Sequence, residues 1–354
     1  MRTFYFVFLV LALVGCGGGG GTTAVPAAAP RILTVMTHDS FAASEEVLAA
    51  FEAANNAQVV LLPSGDTGAA LNQAILAKSN PLADVFFGVD NAFMGRALAA
   101  DIFQPYASPA LTVVPDAFEL DATHRLLPVD YGDVCLNYDI AWFAERDLPL
   151  PQSLADLTDP LYKGLLVAQN PATSSPGLSF LLATIGVFGV AGEYTYLDYW
   201  ADLRTNEVLI TSGWEDAYYG QFTVAGGGER PLVVSYASSP PAEVIFADPP
   251  LDTAPSASLV GDGMCFRQIE FVGVLRGTAV PDLAQAFVDF MLGQTFQEDI
   301  PLNMFVFPVH ESAALPPEFV TWAQIPAAPV TVNPADIDAH RDEWLEAWTQ
   351  VVLR

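Results

Sequence analysis

From residue 31 onward, apolar positions follow two periods in turn. RILTVMT (31–37) carries the β-branched and apolar content of a strand, and Ser44, Glu45 and Glu46 then open a helix whose Val47, Leu48 and Phe51 share a face. QVVLLPS (58–64) with GAALNQAILAK (68–78), and ADVFFGVD (83–90) with NAFMGRALAA, repeat the step. Repeated β-α units predict a parallel sheet covered by helices. Two longer extended runs, LLPVDYGDVCLNYD (126–139) and FRQIEFVGVL (266–275), bracket a second mixed set made of KGLLVAQN, a helix from Pro176, EVLITSG and PLVVSY. The pattern predicts two α/β lobes, the chain passing from the first to the second and back, with a cleft between them. At the C-terminus, NPADIDAHRDEWLEAWTQVVL (333–353) has Asn333 as N-cap, Pro334 as first helical residue, and Ile337, Trp344, Leu345 and Trp348 at helical spacing. This is a docking helix with its tryptophans in the core.

The N-terminus is of another kind. TFYFVFLVLALVG (3–15) is an apolar run behind Arg2, shorter than the roughly 20 residues a membrane-crossing helix needs, and reads as a signal-peptide core. It ends in Leu13-Val14-Gly15-Cys16, which resembles a bacterial lipobox, in which the cysteine sulfur takes a diacylglycerol. Gly17 to Gly21 and TTAVPAAAP read as a flexible tether. The expected organisation is a signal peptide at 1–15, a tether at 16–30, a first lobe from 31–130 and 265–354, and a second lobe from 131–264. Cys16 would anchor the chain to the cell membrane from outside the cytoplasm, in the periplasm or on the outer face of that membrane. Cys135 and Cys265 then remain in an oxidising compartment, where one disulfide is the expectation; two buried free thiols and a nucleophilic cysteine are the alternatives.

Composition narrows the function. The 354 residues are 52% hydrophobic and 15% charged, enough for one large or two ordinary cores. Thirteen Lys and Arg against 41 Asp and Glu give a net charge of −28, which repels nucleic acid and anionic headgroups and suits a cation. His38, His124, His310 and His340 show no metal-ligand spacing, and neither a GxSxG elbow nor a Walker loop occurs, so no enzyme, metal or cofactor motif is present. In open α/β sheets ligands bind beyond the carboxyl ends of strands, and there Asp39, Asp66 and Asp90 follow three successive strands. Crowding three carboxylates at one rim favours a cationic ligand. Ser174, Ser175 and Gly177 start a helix, where free N–H groups suit a polar or anionic group, and Trp214, Tyr236 and Phe305 stand near strand ends.

LTVMTHDSFA (33–42), SGDTGAALNQAI (64–75), ADVFFGVDNAF (83–93), SSPGLSFLL (174–182), SGWEDAYYG (212–220), VVSYASSPPAE (233–243) and FVDFMLGQTFQEDIP (287–301) resemble, in order and spacing, the thiamine-binding periplasmic proteins of ABC importers. The resemblance implies the type II periplasmic-binding-protein fold, with crossing hinge strands between two lobes, and a non-enzymatic, monomeric receptor that passes thiamine or a thiamine phosphate to a permease with an ATPase subunit. It carries ligand contacts onto Asp66, Thr67, Ser174, Ser175, Trp214, Tyr236, Ala237, Ser238 and Ser239. Trp214 and Tyr236 would pack on the heterocycles, Asp66 would pair with a donor or with cationic charge, and the serines would hold the hydroxyethyl end or a phosphate ester. The chain departs from better-known relatives at His38, Ala242 and Phe305, for which Tyr131, Tyr218 and Tyr219 are possible compensations. The alternatives are a receptor for ferric iron or a polyamine, and a thiaminase-like enzyme with Cys135 as nucleophile beside Asp130 or Asp133.

Overall fold

The computed structural model describes residues 29–249 and 251–354. The signal peptide and the lipidation site Cys16 lie outside the described residues. Eleven strands follow in chain order: β1 (Arg31–Thr37), β2 (Ala57–Pro63), β3 (Val85–Asp90), β4 (Phe103–Gln104), β5 (Leu127–Asp139), β6 (Leu166–Gln169), β7 (Leu209–Thr211), β8 (Leu232–Tyr236), β9 (Ser256–Leu259), β10 (Phe266–Leu275) and β11 (Phe307–Pro308). Among the described residues they form one sheet in the order β2-β1-β3-β10-β5-β8-β6-β7, with β4 on β10 and both β9 and β11 on β5.

The parallel pairing expected of β-α units holds at the two ends, where β1 runs parallel to β2 and β3, and β6 runs parallel to β7 and β8. The middle differs. The two long strands are antiparallel to each other and to their outer neighbours, β10 with β3 and β5 with β8. Each therefore belongs to one lobe at one end and to the other lobe at its other end. The β10 ladders slip beside Glu270, between Glu270 and Phe271 against β5 and between Phe271 and Val272 against β3. Such irregularities re-aim side chains, and this one sits where the strands pass under the cleft.

The disulfide is present: Cys135 on β5 is bonded to Cys265, just before β10, across 130 residues of chain. Because paired residues share a face, the registers Asp130↔Glu270 and Val134↔Phe266 set the disulfide on the opposite face of the crossing from Glu270. That bond occupies the sulfur that a nucleophilic Cys135 would need as a thiolate, so the thiaminase-like alternative is withdrawn.

Helices pack on both faces. Ser175–Phe188 is apolar all round, is buried from Ser175 through Ile185, and enters the core with its N-terminus at the cleft. The C-terminal helix Pro334–Val352 is capped by Asn333 Oδ1, which accepts from Ala335 N at 2.9 Å. It makes contacts on both halves. Trp348 meets Trp200 edge-on at 5.4 Å on the β6–β8 side, while Arg341 lies over Phe93 at 5.3 Å beyond β3. Among the described residues no helix is long and apolar enough to cross a membrane.

Candidate functional site

A cavity of about 260 Å³ opens where the two halves of the sheet face each other across β5 and β10. It is near the lower end of small-molecule pockets, which run from roughly 300 to 1,000 Å³. From the β1–β3 side come His38, Asp39 and Phe41 after β1, and Asp66 and Thr67 after β2. The β6–β8 side supplies Ser175, Trp214, Tyr218, Tyr219, Tyr236 and Ser239. Glu270 rises from the crossing, and Met304 and Phe305 close one end.

The wall of rings is fixed in place. Trp214 stacks on Tyr218 at 4.8 Å with 18° between planes, meets Tyr219 edge-on at 5.4 Å, and its Nε1–H donates to Ser235 Oγ at 2.9 Å. Ser235 is held in turn by Ser239 at 2.9 Å. Tyr236 Oη donates to Gln268 Oε1 at 2.9 Å, so its ring is oriented from β10. Room for that ring depends on Gly132, where a Cβ would come within 2.7 Å of Tyr236 Cδ1. Tyr218 Oη donates to Glu243 Oε1 at 2.6 Å, and burial raises the Glu243 carboxyl to about 7.

The lobes already touch across the cavity. Asp66 caps the helix Thr67–Leu76, its Oδ1 accepting from Thr67 N at 2.7 Å, and its Oδ2 accepts from Trp214 N in the other lobe at 3.0 Å. Gly68 N donates to Thr173 O at 3.1 Å, and Phe246 meets Phe305 at 5.5 Å. At the mouth, Ser40 Oγ donates to Glu215 Oε1 at 3.4 Å.

The electrostatics are one-sided. Burial pushes the Asp66 carboxyl up, against the donors from Ser174, Trp214 and Thr67 and the nearby His38. Burial pulls His38 down, but Glu270, with its Oε1 3.4 Å from Nε2, outweighs this and leaves the imidazole above its ordinary value. Behind the wall, Asp90 is raised to about 7 by burial, and Asp130 is pushed well above the usual carboxylate range by burial and then by Glu270. Asp130 faces the Glu270 carboxyl, with which it shares a hydrogen bond when protonated. A flat delocalised cation fits this setting, with ring faces to stack on and carboxylates to offset its charge.

Of the residues singled out in the sequence, His38, Asp39, Asp66, Thr67, Ser175, Trp214, Tyr236, Ser239 and Phe305 line the cavity. Asp90, Ser174, Ala237 and Ser238 do not; all four are fully buried behind it. Asp90 Oδ1 is used locally, accepting from Ala92 N and Phe93 N at 2.9 Å each. Tyr218 and Tyr219 reach the cavity, whereas Tyr131 is stacked between Phe118 and Phe307. Phe41, Glu215, Phe246 and Glu270 line it without having been singled out. Glu270 left a readable signal: a carboxylate inside the apolar strand FRQIEFVGVL is costly unless it has a task. Among the described residues, no group of three or more His, Cys, Asp or Glu is arranged to hold a metal ion.

Comparison with known proteins agrees with this architecture. Residues 80–329 match the family of bacterial extracellular solute-binding proteins. The thiamine-binding periplasmic protein of Salmonella typhimurium is 32% identical over 94% of this chain and 96% of its own, and that of Brucella suis is 30% identical over 91% and 92%. A solved periplasmic thiamin binding protein superposes with a TM-score of 0.80 at 30% identity, covering 92% of this chain and 97% of that one. The fructose-6-phosphate-bound AfuA of Actinobacillus pleuropneumoniae, at 18% identity and a TM-score of 0.76, shares the type II periplasmic-binding-protein fold alone. These relatives are binding proteins, and with them this chain belongs to the bacterial extracellular solute-binding protein family.

Proposed function

We propose that the protein is the receptor of an ABC importer, capturing thiamine outside the cytoplasmic membrane and delivering it to a permease with an ATPase subunit. The observation that carries this reading is the cavity itself, in which Trp214, Tyr218 and Tyr236 stand beside Asp66 and Glu270 in a chain about 30% identical to thiamine-binding periplasmic proteins. The two aromatic rings of thiamine, one permanently cationic, match stacking faces among carboxylates. Asp66 touches both lobes, so a ligand that contacts it also acts on closure. In this reading 31–130 with 265–354, and 131–264, are the two lobes, and Cys16 carries the lipid that keeps the receptor at the membrane.

Isothermal titration of the chain lacking residues 1–30 with thiamine tests it, with tryptophan fluorescence followed in parallel. The expected result is saturable one-to-one binding with quenching, and about tenfold weaker binding with loss of quenching in Trp214→Ala, as one lost cation–π face implies. Folded protein that ignores thiamine but retains ferric citrate or spermidine would overturn the assignment.

A further inference from the structure

We propose that Phe246 is a ligand-contact residue, its exposed phenyl forming with Phe305 an aromatic corner that receives one ring of the bound ligand. The inference deepens the thiamine reading above and rests on it.

Phe246 stands one residue past the helix Pro240–Ile245, where its N–H donates to Ala242 O at 2.9 Å. That short helix is pinned from two directions. Glu243 takes the Tyr218 hydroxyl on Oε1 at 2.6 Å and the Ser256 hydroxyl on Oε2 at 2.5 Å, while Ala242 and Ile245 pack with Phe305, Phe307 and Phe319. The backbone under Phe246 is thus tied both to the wall of rings and to the Phe305 end of the cavity. The ring it carries is left open: Phe246 lines the cavity with 66% of its surface exposed. A single exposed phenyl on an outer surface is ordinary, whereas one in the wall of a cavity is apolar area for an occupant to cover.

Phe305 supplies the second face. Its φ of 56° lies in the left-handed region, which a bulky side chain rarely adopts, and its ring is buried. Such a conformation persists where the surroundings hold it, and it concentrates at ligand sites. Here the neighbours Ala242, Phe307 and Phe319 hold the Phe305 ring at the cavity end. Phe246 meets it at 5.5 Å with 74° between planes. A ring entering the angle of such a pair stacks on one face and meets the other edge-on, and both arrangements are favourable. The wall around Trp214 and this corner give a two-ring ligand a place for each ring, and a cation without rings gains nothing from Phe246.

The test uses the chain lacking residues 1–30, with thiamine as the probe. Phe246→Ala should bind thiamine about tenfold more weakly, whereas Phe246→Tyr, which keeps the ring, should stay within about twofold of wild type. Both should melt with the wild-type protein in the absence of ligand, because the ring is exposed. With Cys135 and Cys265 bonded to each other, Phe246→Cys carries one free thiol, and its alkylation by iodoacetamide should slow several-fold at saturating thiamine. Wild-type affinity in Phe246→Ala would overturn the inference and leave the thiamine reading standing. So would Phe246→Tyr as weak as Phe246→Ala, or a thiol alkylated as fast with thiamine as without it. Absence of thiamine binding by folded wild-type protein would remove both.

Discussion

At the scale of single residues, Asp66 and Gly68 show how closely the cleft is specified. The aspartate is at once a helix cap and the acceptor for a backbone N–H from the opposite lobe. Asp66→Ala should cost about 1 kcal/mol of stability from the cap alone, read as a shift in urea midpoint, and should weaken ligand binding by more than that loss explains. Gly68 is tighter still: a Cβ there would lie 2.7 Å from Ala172 O and 3.0 Å from Thr173 C, both backbone atoms across the cleft. Gly68→Ala should wedge the lobes apart, leaving the melting temperature little changed while ligand affinity drops about tenfold or more. Small-angle scattering of the liganded variant should then show a larger radius of gyration than liganded wild type. The cap at Asp66 is a local signal, an aspartate directly before TGAALNQAIL. The tie to Trp214 was hidden, since 148 residues separate the partners and no local pattern encodes the approach of one lobe to another.

The elements under the cleft titrate in an unusual direction. Asp90, ending β3, has a carboxyl raised from 3.8 to about 7 by burial, and Asp66, Asp130, Glu243 and His38 are raised too. Between the unfolded and folded values the native state holds the extra proton, so stability is greatest below pH 4 for the Asp90 contribution and is lost as pH rises through about 7. Thermal unfolding of the ligand-free protein should therefore show a melting temperature that falls from pH 5 to pH 7.5. Asp90→Asn should flatten that slope by at most about 1.4 kcal/mol per pH unit, since one group exchanges at most one proton. Strand existence was readable at this scale: RILTVMT is β1 residue for residue, and both long runs became the crossing strands. Their antiparallel course was not, because an apolar run has the same hydropathy whichever way its neighbour points. Nor did the turn at VVSYASSPPAE reveal that Ala237 and Ser238 face inward while Tyr236 and Ser239 face the cavity.

For the molecule as a whole, the disulfide is the longest-range constraint. Closing 130 residues stabilises by roughly 5 kcal/mol on the chain-entropy view. Cys135→Ser/Cys265→Ser should lower the denaturation midpoint substantially yet keep ligand affinity within about twofold, because the bond is on the far side of the crossing from Glu270. Denatured, unreduced protein lacking residues 1–30 should show no titratable thiol. Two lobes with a chain crossing between them were legible from the order of the strand and helix patterns. The attachment of the last helix was not, since its buried Arg341 sits on the stripe of Ile337, Trp344 and Trp348 and breaks the apolar pattern that would mark it as packed on two surfaces.

That last helix changes the mechanics of the molecule. Two adjacent strands form a joint free to twist as well as to swing. A rigid rod fastened on one side through Arg341 against Phe93, and on the other through Trp348 against Trp200 and the Val351 carbonyl held by Arg204, resists the twist. A molecule so braced would close as a door on one axis, bringing the Trp214 N–H back to Asp66 without a search.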